Sequence, residues 1–233
     1  MPRKRNEEAI ELAARCAWRI FGEKGYENTT YTDIAEASGI NRATVQNYFP
    51  KKENIVALVH MRAIETAREL AERELPNEQD PFALSYATVQ VFYSTIMSSE
   101  EAQCCFRHVL SRRDMCREAS LRGMDWLGEY IAGAHPSLSE ERLMEVVVAN
   151  GQLDDAALYC MDYGLDLDIP LWSRPYMIAI AKAFGIRVGD AKRAMSRCEI
   201  PPARALALGR NAYAQLVGED PKPTCRESVI ANE

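Results

Sequence analysis

Residues 21–55 read FGEKGYENTTYTDIAEASGINRATVQNYFPKKENI. Thr30 stands three residues ahead of Asp33, the spacing at which a threonine caps a helix start. The helix so begun runs through Ile34, Ala35 and Ala37, and Gly39 ends it, because glycine takes the left-handed conformation that closes a helix. Asn41 offers a side-chain oxygen to the free amides of a third helix, Arg42 to Phe49, only a few residues later. Two short helices therefore flank a tight Gly39-Ile40 turn.

Upstream, Ile10, Ala13, Ala14, Ala17, Ile20 and Phe21 form an apolar stripe at helical spacing, with Gly25 as its stop. Downstream, Lys52 to Leu75 contains neither glycine nor proline and predicts one long helix ending at Pro76. Further helices are expected near 82–98, 100–113, 117–133, 138–163, 171–185 and 203–217, with Pro136, Pro170 and Pro201-Pro202 setting boundaries. No sustained period-2 alternation argues for a sheet. The expected fold is all-α. Its expected parts are an N-terminal three-helix helix-turn-helix domain (1–50), a long connecting helix (51–76), a helical ligand-binding and dimerisation domain (77–218), and a flexible tail (219–233).

The chain of 233 residues is 47% hydrophobic and 27% charged, in the range of folded globular proteins. No run approaches the ~18 apolar residues that span a bilayer, and the charged N-terminus lacks the apolar core of a signal peptide. A cytoplasmic location and no membrane partner are expected. The seven cysteines have no CxxC pairing, which argues against a zinc ribbon or a disulfide framework. The net charge is −6, yet residues 1–60 carry nine Lys and Arg against eight Asp and Glu, and the rest carries 19 against 26. The N-terminal segment is thus the relatively basic part, and an acidic total does not exclude nucleic acid.

A helix, a two-turn helix, a glycine turn and a capped third helix are the parts of a helix-turn-helix, whose last helix lies in the major groove. Over about Ala9 to Leu58 the residues also resemble the tetracycline-repressor (TetR/AcrR) family. The resemblance is carried by Phe21, Gly25-Tyr26, Thr29-Thr30, Ile34-Ala35, Gly39-Ile40, Thr44-Val45, Tyr48-Phe49 and Lys52-Glu53. It implies a homodimeric, ligand-responsive regulator, most often a repressor, that binds an inverted-repeat operator in double-stranded DNA and is released by a small-molecule effector. It implies neither enzymatic activity nor a cofactor. Ile34, Ala35, Ile40, Val45 and Phe49 are read as the core of the small domain. Arg42, Ala43, Thr44, Gln46, Asn47 and Tyr48 are read as facing the bases; Arg42 suits guanine, Gln46 and Asn47 suit adenine. Thr30, Tyr31, Tyr48 and Lys52 resemble family positions that hold phosphates, and the Arg3-Lys4-Arg5 arm is a further candidate. The chain departs from the family pattern at Gln46, usually tyrosine, and at Lys51, usually a capping serine or asparagine. A cation at a helix start is disfavoured by the dipole, so Lys51 is expected to have DNA phosphate as its partner.

Behind this domain the signals are weaker. Tyr93, Phe106, Trp126, Tyr130, Tyr159 and Tyr163 are candidates for an effector pocket, weighed against ordinary core packing. Cys104, Cys105, Cys116 and His108 admit a soft metal or a redox switch, with buried structural thiols the simpler reading. Asp162, Asp166 and Asp168 lack the glycine and glutamate of a calcium loop, and Asp154-Asp155 have no completing catalytic group. Segments 171–185 and 203–217, through Leu171, Trp172, Met177, Ile178, Leu206, Leu208, Tyr213 and Leu216, best match the family's dimer-forming helices. Two rival classes remain: a helical enzyme or redox sensor carrying a helix-turn-helix, and a scaffold without an effector pocket.

Overall fold

The computed structural model describes residues 7–112, 128, 131 and 139–218. Among these, the regular structure is entirely helical: α1 (Glu7–Lys24), α2 (Tyr31–Ser38), α3 (Arg42–Tyr48), α4 (Lys52–Glu74), α5 (Pro81–Ile96), α6 (Glu100–Leu110), α7 (Glu140–Tyr163), α8 (Ile169–Ala183), α9 (Val188–Arg197) and α10 (Pro202–Val217). No described helix is long and apolar enough to cross a membrane. Apart from residues 128 and 131, the helix expected over 117–133 lies outside the described residues, as do Trp126, Tyr130, Cys116, the basic arm and the tail after Gly218.

Local chemistry sets the boundaries. Asp80 caps α5 by accepting from the Phe82 amide (3.0 Å), with Pro81 in the first turn, where its missing N–H costs nothing. Asp168 caps α8 by accepting from the Leu171 amide (2.9 Å), which explains one of the acids that faintly resembled a calcium loop. Pro202 begins α10. Helix α9 is an addition to the expected set: its buried Ala191, Ala194 and Met195 keep helical spacing, but it is short and has no side-chain cap.

Helix α5 is the centre of the body, with almost every residue from Phe82 to Ile96 buried. It packs against α4, α8, α9 and α10. Where α10 crosses it, only glycine fits: a Cβ on Gly209 would lie 2.4 Å from the Ser94 carbonyl carbon and oxygen. Helix α1 packs on α6 and α10 as well as on α2 and α4. Trp18 and Phe21 of α1 meet Phe106 of α6 and Tyr26 in one aromatic cluster, at centroid distances of 5.1 Å for Trp18–Phe106 and 5.2 Å for Phe21–Tyr26. The small N-terminal helices are thus seated directly on the body.

Candidate DNA-binding surface

Helix α2 starts with a reciprocal cap. Thr30 Oγ1 accepts from the Asp33 amide (3.2 Å), and Asp33 Oδ2 accepts from the Thr30 amide (2.7 Å). Lys24 reaches the same carboxylate at 2.7 Å. Lys24 first, then Thr30, holds the Asp33 carboxyl well below the usual carboxylate range. Gly39 closes α2 at φ 67°, the left-handed conformation read from the sequence. Asn41 Oδ1 then accepts from the Ala43 amide (2.8 Å) and starts α3. Val45 is fully buried beneath α3, along with Ile34 and Phe49, so one face of the short helix is fixed against the protein.

The opposite face of α3 carries Arg42, Ala43, Gln46 and Asn47, all exposed, while Thr44 and Tyr48 are half-buried at its edges. Positions 42, 43, 46 and 47 share one side of a 3.6-residue helix. The third helix is therefore a rod seated by Val45 with polar side chains pointing outward.

The flanking candidates divide. Lys51 is exposed at the start of α4. Its cap is not wholly lost, since Asn54 Oδ1 accepts from the Lys51 amide (3.0 Å), half of the usual reciprocal pair. Thr30 is exposed, but its hydroxyl is engaged with Asp33. The half-buried Tyr31 donates its hydroxyl to the Phe49 carbonyl (2.8 Å), tying α2 to the end of α3. Lys52 turns inward: Nζ donates to the Tyr26 and Thr29 carbonyls (2.9 and 3.0 Å) and lies 4.3 Å from the Tyr26 ring centroid. Lys52, expected from the resemblance to hold a phosphate, thus has its ammonium engaged in joining the α1–α2 turn to α4. On the α6 side, the His108 ring stacks on Tyr26 at 3.7 Å. His108, Tyr26 and Lys52 thus link α6, the α1–α2 turn and α4.

Of the pocket candidates, Tyr93 and Phe106 are buried. Tyr93 donates to Asp154 Oδ1 (2.6 Å), and Asn150 donates to Asp154 Oδ2 (3.0 Å), which engages one of the paired acids structurally. Tyr159 and Tyr163 instead stand 56% and 67% exposed on α7, their rings 4.5 Å apart, so these four do not gather in one cavity. A separate cleft of about 980 Å³ opens among α5, α6, the α7–α8 connection and the start of α10. None of the four lines it. Its described walls include Met97, Cys104, Arg107, Met161, Ile200 and Leu206. Arg107 pairs across to Asp162. Sequence reasoning missed this cleft because its apolar residues come from distant elements and share no periodic signal.

Of the described cysteines, Cys16, Cys105, Cys160 and Cys198 are buried, and Cys104 is half-buried. Cys105 donates to the Trp18 carbonyl (3.1 Å), and burial pushes its thiol up to about 12; Cys198 is likewise pushed up to about 12, first by burial. Among the described residues, no three His, Cys, Asp or Glu side chains gather as a metal site would require.

Fold and site together define a helix-turn-helix domain fused to an all-helical body. Residues 15–59 match the family model described as "Bacterial regulatory proteins, tetR family". The HTH-type transcriptional regulator TtgR of Pseudomonas putida is 32% identical over 104 residues, 42% of this chain and 50% of that protein. The probable HTH-type transcriptional regulator ArpR of Pseudomonas putida matches to the same extent. The chain spans about half the length of these curated relatives. Solved structures are more remote: RolR in complex with resorcinol is 19% identical, covering 84% of this chain and 96% of its own, with TM-score 0.41. A gamma-butyrolactone receptor (ArpA-like protein) is 13% identical, covering 86% and 97%, with TM-score 0.40. The resemblance to the TetR family of bacterial regulatory proteins thus falls on residues 15–59, the segment that holds α2 and α3.

Proposed function

We propose that the protein is a ligand-responsive transcriptional repressor that binds an inverted repeat in duplex DNA as a homodimer. Residues 1–50 form the reading head, 51–76 the connector and 77–218 the effector-binding and dimerising body. The observation that carries this reading is the outward face of α3, Arg42, Ala43, Gln46 and Asn47, on a helix seated by the buried Val45. Arg42, Gln46 and Asn47 supply donors and acceptors, and Ala43 a methyl group, that distinguish base edges in the major groove. Lys51, exposed beside them, supplies a phosphate contact that relieves its position at a helix N-terminus.

Dimerisation is supported by a surface that shares only the start of the first segment the sequence suggests, Leu171 and Trp172, and takes α7 in place of the second. Helix α10 buries Leu208 and Leu216 within its own chain, and Met177 of α8 is fully buried too. Exposed apolar side chains lie instead on α7 (Met144, Val148, Tyr159 and Tyr163) and at the start of α8 (Leu171 and Trp172). Met144, Val148, Gln152, Asp155, Tyr159 and Tyr163 recur every three or four residues, one stripe along α7. A stripe this long is best covered by its own symmetric copy, giving an α7–α8 four-helix interface. The two-fold axis sets two α3 helices about 34–36 Å apart, one helical turn of DNA.

Selection from random duplex DNA is expected to recover an inverted repeat. Arg42→Ala and Gln46→Ala should each weaken binding to it by about 1–3 kcal/mol and relax preference at one symmetric base pair. Recovery of no common duplex sequence at low salt removes the proposal.

A further inference from the structure

We propose that the outward face of α9 is a second contact for nucleic acid: it takes the sugar-phosphate backbone of a duplex other than the one beneath α3, without regard to sequence. The assignment goes beyond the regulator reading and does not require α3 to recognise an operator.

The face stands out by its charge. Residues 187–197 carry Arg187, Lys192, Arg193 and Arg197 against one acid, Asp190, although residues 61–233 as a whole hold 19 Lys and Arg against 26 Asp and Glu. Ala191, Ala194 and Met195 are buried and seat α9 on α5 and α8. The opposite side is left outward, with Gly189, Lys192, Arg193 and Ser196 exposed at three- and four-residue spacing. The side chains of Arg187 and Arg193 stand 86% and 72% exposed. They share one carboxylate: Arg187 Nε donates to Asp190 Oδ2 (2.7 Å), and Arg193 donates to Oδ1. One acid therefore orients two guanidinium groups while neutralising the charge of one, and exposed Lys192 adds a further cation beside them. The other acids nearby are engaged, Glu78 and Asp80 by Arg197 and Glu199 by Arg174, so the free cationic surface is that of Arg187, Lys192 and Arg193. Like charges gathered this closely repel, and a polyanion relieves that repulsion while releasing its own counterions.

The composition of the face selects the partner. Val188, 36% exposed, is its large apolar side chain, and its exposed residues include no aromatic ring. It thus lacks the buried anchors on which protein–protein interfaces depend. Guanidinium, ammonium and hydroxyl groups are instead the set that contacts phosphate oxygens along a duplex.

Its location separates this contact from the reading head. Helix α4 starts at Lys52, against the α1–α2 turn. Its 23 residues, at about 1.5 Å each, carry the chain about 33 Å away. At that far end Arg197, the last residue of α9, donates to Glu78 (2.7 Å) in the α4–α5 connection. A duplex held by α9 is therefore a second one, or a distant part of the same molecule, and the protein joins the two.

The test acetylates exposed lysines with acetic anhydride, with and without a mixed-sequence duplex at low salt, and reads each lysine in peptide maps. Duplex is expected to slow acetylation of Lys192 at least fivefold, and the protection should fade with a log–log salt slope of about 3 as three phosphate contacts are lost. Lys51 reports the reading head in the same maps. A duplex fixed to beads should recruit a second, labelled duplex through the parent protein. Lys192→Glu combined with Arg193→Glu should cut that recruitment at least fivefold while Lys51 stays protected. Lys192→Gln combined with Arg193→Gln replaces that variant should it not fold. Unchanged Lys192 reactivity at low salt, or recruitment retained by a folded charge variant, overturns the proposal. Protection of Lys192 by poly-L-glutamate at equal charge, as strong as that by duplex, overturns the duplex assignment in favour of an acidic protein. Protection of Lys192 with Lys51 left reactive strikes the regulator reading alone.

Discussion

Lys51 and Lys52 are adjacent cations in opposite employment. Lys51 is exposed beside the α3 face, whereas Lys52 is held by two carbonyls and the Tyr26 ring. Lys52→Met should therefore act mainly on stability, lowering it by about 2 kcal/mol as two charged hydrogen bonds are lost and two carbonyls are left partly buried. Lys51→Ala should leave the melting temperature nearly unchanged and reduce the slope of log affinity against log salt by about 1. Thermal melts and salt titrations of both variants separate the roles; equal salt slopes in K51A and the parent would remove Lys51 from the DNA surface. His60 gives a second residue-scale expectation. Its Nδ1 is buried without a partner, its ring meets Phe92 edge-on at 5.2 Å, and burial lowers its pKa to about 4. Since the unfolded imidazole titrates near its ordinary value of 6.5, the unfolded state binds the extra proton between those values. Stability is then fully present above about 6.5 and is lost as pH falls toward 4. Denaturant midpoints measured from pH 7.5 to 4.5 should decline, and His60→Phe should flatten that decline; an equal slope in the variant would falsify the assignment.

At the scale of elements, what the sequence made legible were the features fixed by near neighbours. Thr30, Gly39 and Asn41 act on amides or dihedrals within three residues, so the caps and turn of α2 and α3 could be read directly. Asn54 supplies part of the cap that Lys51 lacks, and it too is a short-range signal, though it sits three residues beyond the cap position itself. Lys52 was not legible as a brace, because its partner carbonyls lie 26 and 23 residues away. Helix α9 is short, carries Gly189 and has no side-chain cap, and only the Ala191, Ala194, Met195 spacing betrays it. Helix α10 was visible as a helix, yet which of its faces turns inward depends on α5, far away in sequence. Gly209 records that contact. Gly209→Ala should destabilise the fold by at least about 2 kcal/mol, since a methyl group would meet backbone that cannot yield, despite alanine's better helix propensity. Gly151, in α7 with open space around its missing Cβ, is the control: Gly151→Ala should be neutral or stabilising by up to about 1 kcal/mol. Similar denaturation midpoints for the two variants would show that the α5–α10 crossing is looser than this.

For the whole molecule, the same logic separates surfaces a single chain completes from those it leaves open. The core running from Trp18 through Phe106 and α5 to α10 closes within one chain. The α7 stripe does not: Met144 and Val148 are 62% and 52% exposed, and a groove beside them is bordered by Pro175 and Ile178 of α8. An apolar surface of this kind costs solubility in a monomer, and a two-fold partner removes it from water while fixing the separation of the two α3 helices. Val148→Glu places a charge in the middle of that proposed interface yet on the surface of an isolated chain, so folding should survive, with a melting temperature changed by only a few degrees. Sedimentation should then report a monomer, against the dimer expected of the parent. Affinity for a full inverted repeat should drop at least 100-fold toward that for a half-site, because the second α3 no longer arrives already tethered at high effective concentration. A V148E protein that still sediments as the parent does, or binds full and half sites with the parent's preference, would place the symmetric contact elsewhere and detach the spacing argument from α7.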